Sequence, residues 1–366
     1  MTTTQTLTGA EGAATRDAAP ARAHHDDKAM LKAAANLTRE LNRPNPTIYW
    51  VDMIGSALLG YGALLIAILG HGWPLQLAAG IVSLLALYRA GLFIHEITHL
   101  KVGAIPGFKL GWNILVGVPL MAPSFMYEGI HNMHHAKIRY GTVEDPEYLP
   151  LALMHPWTLP LFVAISVLGP VALLFRFGVL TPLSLLIPPL RKVVVGKYSG
   201  LQINPKFTRA RPEGAFAREW AWEEAGASLF AIAFIVLIAT GILPLHAAII
   251  FLAVTSGALV LNQIRTLVAH LWENDGSQMT VTEQYLDTVN VPPPGIWAEF
   301  WAPVGLRYHA LHHLLPGIPY HALPTAHRRL MKEMAPDSAY HLSNHRALMP
   351  LVVRLWKNTL RSAKAA

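Results

Sequence analysis

The sequence predicts an all-α integral membrane protein, and three observations lead there. Of the 366 residues, 53% are hydrophobic and 14% are charged, where an ordinary soluble domain carries about 25% charged residues. Four apolar stretches, about 48–70, 74–94, 226–243 and 245–269, are each near the ~20 residues a helix needs to cross a hydrocarbon core. The basic residues are distributed unevenly around those stretches, as they are in membrane proteins with a fixed orientation.

Taken in order, residues 1–27 are rich in Thr, Ala and Gly without periodicity and read as a disordered N-terminal tail. No short apolar run follows a basic start there, so no cleaved signal peptide is expected. Residues 28–340 form the expected membrane domain, and 341–366 a C-terminal cytoplasmic tail. Of the 29 Lys and Arg residues, six lie in 1–46, four in 100–156, seven in 188–225 and nine in 273–366, while the turns at 71–73 and 244 have none. Because positive residues collect on the cytoplasmic side, 48–70 with 74–94, and 226–243 with 245–269, form two hairpins open to the cytoplasm. Both termini then face the cytoplasm, and the expected location is the cytoplasmic membrane. The segment 157–187 is also long and apolar, but Pro160, Pro170, Pro182 and Arg176 interrupt it. A single crossing there would also put the seven basic residues outside, so an interfacial or re-entrant segment is predicted.

Three histidine clusters stand out: HEITH at 95–99, HNMHH at 131–135 and HALHH at 309–313. An H-x-x-H-H motif is expected by chance roughly 0.04 times in a chain of this histidine content, so two copies signal function. In the charge-derived topology all three clusters fall at the cytoplasmic face, forming a histidine-rich cap. Imidazole is a ligand for iron, zinc, copper and nickel. With no cysteine in the chain, neither a disulfide nor a thiolate-held metal site can exist. Positions i, i+3 and i+4 of a helix share a face, so His95 and His99 can bind one ion together, and His131 faces His134 and His135 as His309 faces His312 and His313. Adjacent histidines diverge by about 100° and can serve two different ions, which suits a dinuclear site.

His270, in NQIRTLVAHLWEND at the mouth of an apolar helix, is the ninth candidate ligand. Metal-bound histidines usually give their second N–H to a carboxylate or carbonyl. Glu96, Glu144, Asp145 and Glu273 are the main candidates for that role, with Glu128, Glu147 and Asp275 also close in sequence. Asn274 is placed to hold a metal-bound water, and Arg265 is expected to pair with a carboxylate near the site.

The order H-x-x-x-H, H-x-x-H-H, H-x-x-H-H on paired membrane hairpins resembles the membrane fatty acid desaturase superfamily, which includes hydroxylases and ketolases. The resemblance covers about 45–330 and is strongest at 91–101, 131–148, 262–276 and 307–329, notably in HHLLPGIPYHALPTAHR. It implies a non-haem di-iron centre that uses O2 and two electrons to attack an unactivated C–H bond. His95, His99, His131, His134, His135, His309, His312 and His313 carry over as iron ligands by motif, and His270 by position. The chain has no His-Pro-Gly-Gly haem motif of the cytochrome b5 type fused in some members. Electrons are therefore expected from a separate carrier such as a ferredoxin, drawn by the basic cytoplasmic face. The net charge of +7 is read as a membrane-surface property, since no nucleic-acid motif accompanies it.

The expected activity is O2-dependent desaturation of a fatty acyl chain. A di-iron hydroxylase or ketolase acting on a lipid, alkane or terpenoid is the alternative on the same scaffold. HEITH also matches H-E-x-x-H, so an intramembrane zinc protease with Glu96 as base is a remote reading. That reading leaves most of the other histidines without a role. A metal transporter is disfavoured because its site would lie near the bilayer midplane.

Overall fold

The computed structural model describes residues 26–365. The expected disordered tail lies outside the described residues except for Asp26 and Asp27, which are ordered against Thr282: its Oγ1 accepts from Asp27 N at 2.8 Å and its N donates to Asp26 at 3.1 Å. Asp27 also caps α1 (Lys28–Thr38) by accepting from Met30 N.

The described chain is helical, with isolated β-bridges and no named strand. Helix α2 (Pro46–Leu69) starts where Asn45 accepts from Thr47 N and Ile48 N and Pro46 occupies the first turn. It turns at Gly72, which holds φ +89°, into α3 (Trp73–Gly91). After one turn residue the same axis continues as α4 (Phe93–His99). The second hairpin is α9 (Gly214–Ala239) and α10 (Leu245–Leu267). Residues on the outer faces of these helices, such as Val51, Leu58, Leu69, Leu229 and Ile249, are large, apolar and exposed, as expected of surfaces solvated by lipid.

The segment between the hairpins is helical in spite of its prolines. Thr158–Leu186 forms a near-continuous helical run, α7, and is the fifth helix in the described chain long and apolar enough to cross a membrane, where the sequence predicted four. Its prolines do not break it because Pro170 and Pro182 each sit at the start of a fresh helical stretch, where the missing N–H has no intrahelical partner to lose. Arg176 is accommodated by Glu224 at 2.7 Å, Ser199 at 2.7 Å and the Tyr198 carbonyl at 2.9 Å. Along its length α7 meets α10 first, where Ser256 Oγ donates to Val167 O, and then α9, where Ser228 Oγ donates to Phe177 O. It is followed by α8 (Pro188–Lys197).

The remaining elements, expected as a cap, gather at the end of the bundle that carries the histidines. The helices α5 (Phe108–Trp112), α6 (Ile130–His134), α11 (Val281–Asp287), α12 (His309–Leu314) and α13 (Leu323–Glu333) are all short. A core of Tyr49, Phe93, Phe108, Trp112 and Tyr320 ties α2, α3 and α4 to the cap. The expected C-terminal tail, 341–366, carries α14 (Leu348–Ala365), whose Leu351 and Leu355 are buried. Leu355 joins Leu159, Phe162, Leu267 and Trp272 in one apolar cluster. The polar residues of α14 that read as a tail are its solvent face.

Candidate metal centre

All nine sequence-predicted histidines meet in one place, where they sort into two adjacent groups. His95, His99, His131, His135 and His312 have ring nitrogens within 4.8 Å of one another, and so do His134, His270, His309 and His313. The division follows from helix geometry. His131 and His135 on α6 are four apart and share the first group, while His309 and His313 on α12 share the second. His134 and His312 each cross to the opposite group, as the angular divergence of adjacent residues predicts. The expected pairing of His131 with both His134 and His135 is corrected on this point: His134 belongs to the other group. The groups abut through the stacked rings of His135 and His313, 4.2 Å apart.

The facing nitrogens are Nε2 atoms. His131 lies 3.0 Å from His135, His99 lies 3.1 Å from His312, and His135 lies 3.2 Å from His312. In the second group His270 is 3.1 Å and His313 3.2 Å from His309. Two nitrogens about 2.1 Å from one metal and at right angles would be roughly 3.0 Å apart, so the spacing fits ligation of one ion by each group. Burial fits it too. Desolvation lowers the pKa of His131, His135, His270, His309, His312 and His313, which favours the neutral imidazole that a metal requires. Both ring nitrogens of His95, and Nδ1 of His309, are buried without a hydrogen-bond partner. Such orphaned atoms are costly unless a ligand satisfies them.

Three carboxylates support the cluster from behind. Asp145, fully buried, accepts from His134 Nδ1 at 2.9 Å and from the backbone N–H groups of Gly141 and Glu147 at 2.8 Å each. Burial disfavours charge on His134, but Asp145 overrides this and raises its pKa. Gly141 holds φ +71°, and a Cβ there would come within 2.9 Å of Asn274 Nδ2, so only glycine fits this turn. Glu147 lies 2.7 Å from His131 Nδ1, with the Tyr127 hydroxyl bonded to both. Burial lifts its pKa to about 7. Asp287 reaches His270 through a relay, in which the Tyr140 hydroxyl is 2.8 Å from His270 Nδ1 and donates to Asp287 at 2.8 Å. Trp272, two residues on, is buried with φ +60°, a conformation uncommon for a bulky residue, and the turn it makes presents His270 to the cluster.

Asp145 is thus placed as predicted, and Glu147, given no preference in the sequence reading, is also at the site. The other predicted supports are not there. Glu144 is exposed and faces Arg139 at 3.8 Å, because the turn that buries Asp145 points its neighbour outward. Glu273 is held by Arg354 and Asn358 of α14. Asn274 gives its side-chain N–H groups to the carbonyls of Gly141 and Ser277 and braces the loop, with no donor left for a metal-bound water. Arg265 has no carboxylate within ion-pair distance among the described residues. It donates to Asn262 at 3.2 Å and lies against the Tyr88 hydroxyl, its Nε is unpartnered, and its charge acts on the Glu147 carboxylate at longer range. Glu96 accepts from the Tyr49 hydroxyl and from Tyr320 N through Oε2, while its Oε1 lies 3.8 Å from His95 Nδ1, too far for a hydrogen bond. Glu128 is bonded by Lys109, and Asp275 by Ser277 N.

Sequence reasoning missed Asp287, Tyr127, Tyr140 and Tyr148, the last of which donates its hydroxyl to Asp287 at 3.3 Å. Two signals were available. Tyr140 and Tyr148 bracket the acidic loop YGTVEDPEY. A capping box at Thr280 and Glu283 starts the short helix that ends on Asp287.

A cavity of about 200 Å³ opens beside the histidines, between α3, α10 and α7. Its walls are mostly apolar, including Leu87, Leu92, Val116, Leu120, Leu173 and Leu259, and His95, His131, His134, His270 and His309 line one end.

A two-group histidine site at the membrane face of a helical bundle, opening on an apolar cavity, defines a membrane metalloenzyme of the histidine-box type. The chain belongs to the fatty acid desaturase family, which it matches over residues 71–344. It is 46% identical over 331 residues, 90% of this chain and 94% of the relative, to a protein of Caulobacter vibrioides (strain NA1000 / CB15N) named ceramide hydroxylase. No solved structure matches the chain. It is therefore an oxidoreductase of that superfamily and a membrane protein.

Proposed function

We propose that this chain is a di-iron hydroxylase acting on a ceramide-type lipid, with His95, His99, His131, His135 and His312 holding one iron and His134, His270, His309 and His313 the other. The observation that carries the reading is the 46% identity, over nearly the whole of both chains, to a ceramide hydroxylase. It turns the expectation from desaturation to the hydroxylase alternative. Iron fits where zinc does not, because zinc has no redox chemistry. When bound, iron would supply the O2 activation needed to break an unactivated C–H bond.

The residues of the chain supply the rest. Asp145, Glu147 and the Tyr140–Asp287 relay fix the rings of His134, His131 and His270 so that each presents its other nitrogen to the metal. Their negative charge offsets that of two metal ions in a site that excludes water. The apolar walls receive an alkyl chain and hold one carbon against the histidine end. The balance is one C–H bond and one O2, with two electrons and two protons, giving one alcohol and one water. A separate carrier such as a ferredoxin brings the electrons. The catalytic unit extends through α14, and the protein sits in a bacterial inner membrane with both termini cytoplasmic.

The test is product mass. Membranes containing the protein, a reducing system and isotopically labelled O2 are given ceramide. An alcohol with one labelled oxygen is expected. A product two hydrogens lighter, with no label, would return the assignment to desaturation.

A further inference from the structure

The cavity is apolar except at its histidine end and along one turn of α10, where Asn262, Gln263, Arg265 and Thr266 all line it. Arg265 is the anomaly in this group. A half-buried guanidinium ordinarily finds a carboxylate, because taking a cation out of water is costly. Here no described carboxylate is within ion-pair distance, and Nε is buried without a partner. Its charge is nevertheless felt by His270, His309 and Glu147, and it lines the same cavity as all three. Glu147 has the mirror-image defect: Oε2 is bonded, but buried Oε1 has no hydrogen-bond partner. A cation and a carboxylate that attract each other without a close ion pair, one with an unused donor and the other with an unused acceptor, therefore share this cavity.

We propose that Arg265 is a substrate-positioning residue that donates to the amide carbonyl of the lipid, with Glu147 Oε1 facing the adjoining N–H or hydroxyl. The inference rests on the ceramide reading and deepens it. A secondary amide supplies both an acceptor and a donor, which a plain alkyl chain does not. Binding the amide at Arg265 brings the polar core, and not the tail end, next to the histidines. The new hydroxyl then falls within a few carbons of the amide. The guanidinium has five N–H donors in a fixed fork, so one can serve the substrate while another keeps Asn262.

The test is a cycle between residue and substrate atom. Ceramide is compared with the matching thioamide, whose sulfur is a weak acceptor, on the wild type and on Arg265→Met. Two readouts are taken: displacement of a fluorescent ceramide from metal-free protein in detergent, and kcat/KM of the metal-loaded protein. The wild type should favour ceramide over the thioamide about tenfold or more, the size of a hydrogen bond to a charged group. Arg265→Met should lose a similar factor on ceramide, lose the preference, and keep its metal. Arg265→Lys, which retains a cation, should keep part of the preference, and it replaces the Met variant if that does not accumulate. Equal treatment of the two lipids by the wild type overturns the inference, as does a preference that survives in Arg265→Met, or a hydroxyl located at the tail end. Failure of the wild type to bind or hydroxylate ceramide at all would instead refute the substrate reading on which the inference stands.

Discussion

Asp145→Asn is the sharpest probe of how the site is held. The side chain is wholly inaccessible to solvent and accepts from three groups: His134 Nδ1 at 2.9 Å, Gly141 N at 2.8 Å and Glu147 N at 2.8 Å. Asparagine keeps the volume but offers one acceptor oxygen, and it places an amide N–H where a lone pair had been. At least one of the three donors then loses its partner. A hydrogen bond to a charged group contributes about 1.5–3 kcal/mol, and removing such a support costs metal sites roughly 10- to 100-fold in affinity. Asp145 meets the second group only through His134, so the loss should fall on one metal ion and spare the other. The assay is metal retained against a graded chelator, with thermal unfolding as a check on folding. A biphasic release, with one ion leaving at about 10- to 100-fold lower chelator, is expected. Release identical to wild type would refute the assignment of Asp145 as the support of a metal-bound histidine.

Further outcomes separate the site from its surroundings. His134→Ala and His312→Ala should each abolish activity and lower metal content, one from each group, while membrane insertion is unchanged. Full activity in either would remove that histidine from the site. Glu96→Gln should keep metal and most activity, since the hydrogen bonds of Glu96 go to Tyr49 and Tyr320 and its nearest histidine nitrogen is 3.8 Å away; complete loss of activity with metal intact would revive a catalytic base there. Glu273→Gln breaks an exposed contact with Arg354 of at most about 1 kcal/mol, so activity and metal content should match wild type. The metal-free protein should lose stability in an acid titration. His131, His135, His270, His309, His312 and His313 have pKa values lowered in the folded state by burial. Below 6.5 the unfolded chain binds protons that the folded one resists, so stability present above that pH is lost as pH falls. A melting temperature flat between pH 7 and pH 5 would contradict this (flatness judged within about a degree).

What the sequence made legible was whatever is local. The apolar lengths of α2, α3, α9 and α10 follow from composition, and the i, i+4 spacing of His131 with His135 and of His309 with His313 follows from helix geometry. All nine histidines were therefore found before the fold was known. What it hid depends on direction or distant pairing. Glu144 and Asp145 are adjacent and chemically alike, yet the Gly141 turn buries one and exposes the other. Asp287 lies beyond α10 in sequence and reaches His270 by hydrogen bonds through Tyr140, with its own oxygen 3.8 Å from the ring nitrogen. The prolines of α7 look like breaks in the sequence, whereas two of them begin helical stretches and Arg176 finds Glu224, a residue 48 positions later. Arg265 and Glu147 act on each other's charge without a close ion pair, a relation between residues far apart in sequence.

The central claim is tested most directly by the metal content of the detergent-purified protein, measured per chain by elemental mass spectrometry after expression in iron-rich medium. The two histidine groups predict about two ions per chain, mainly iron. A single zinc with no iron, persisting in that medium, would contradict the account.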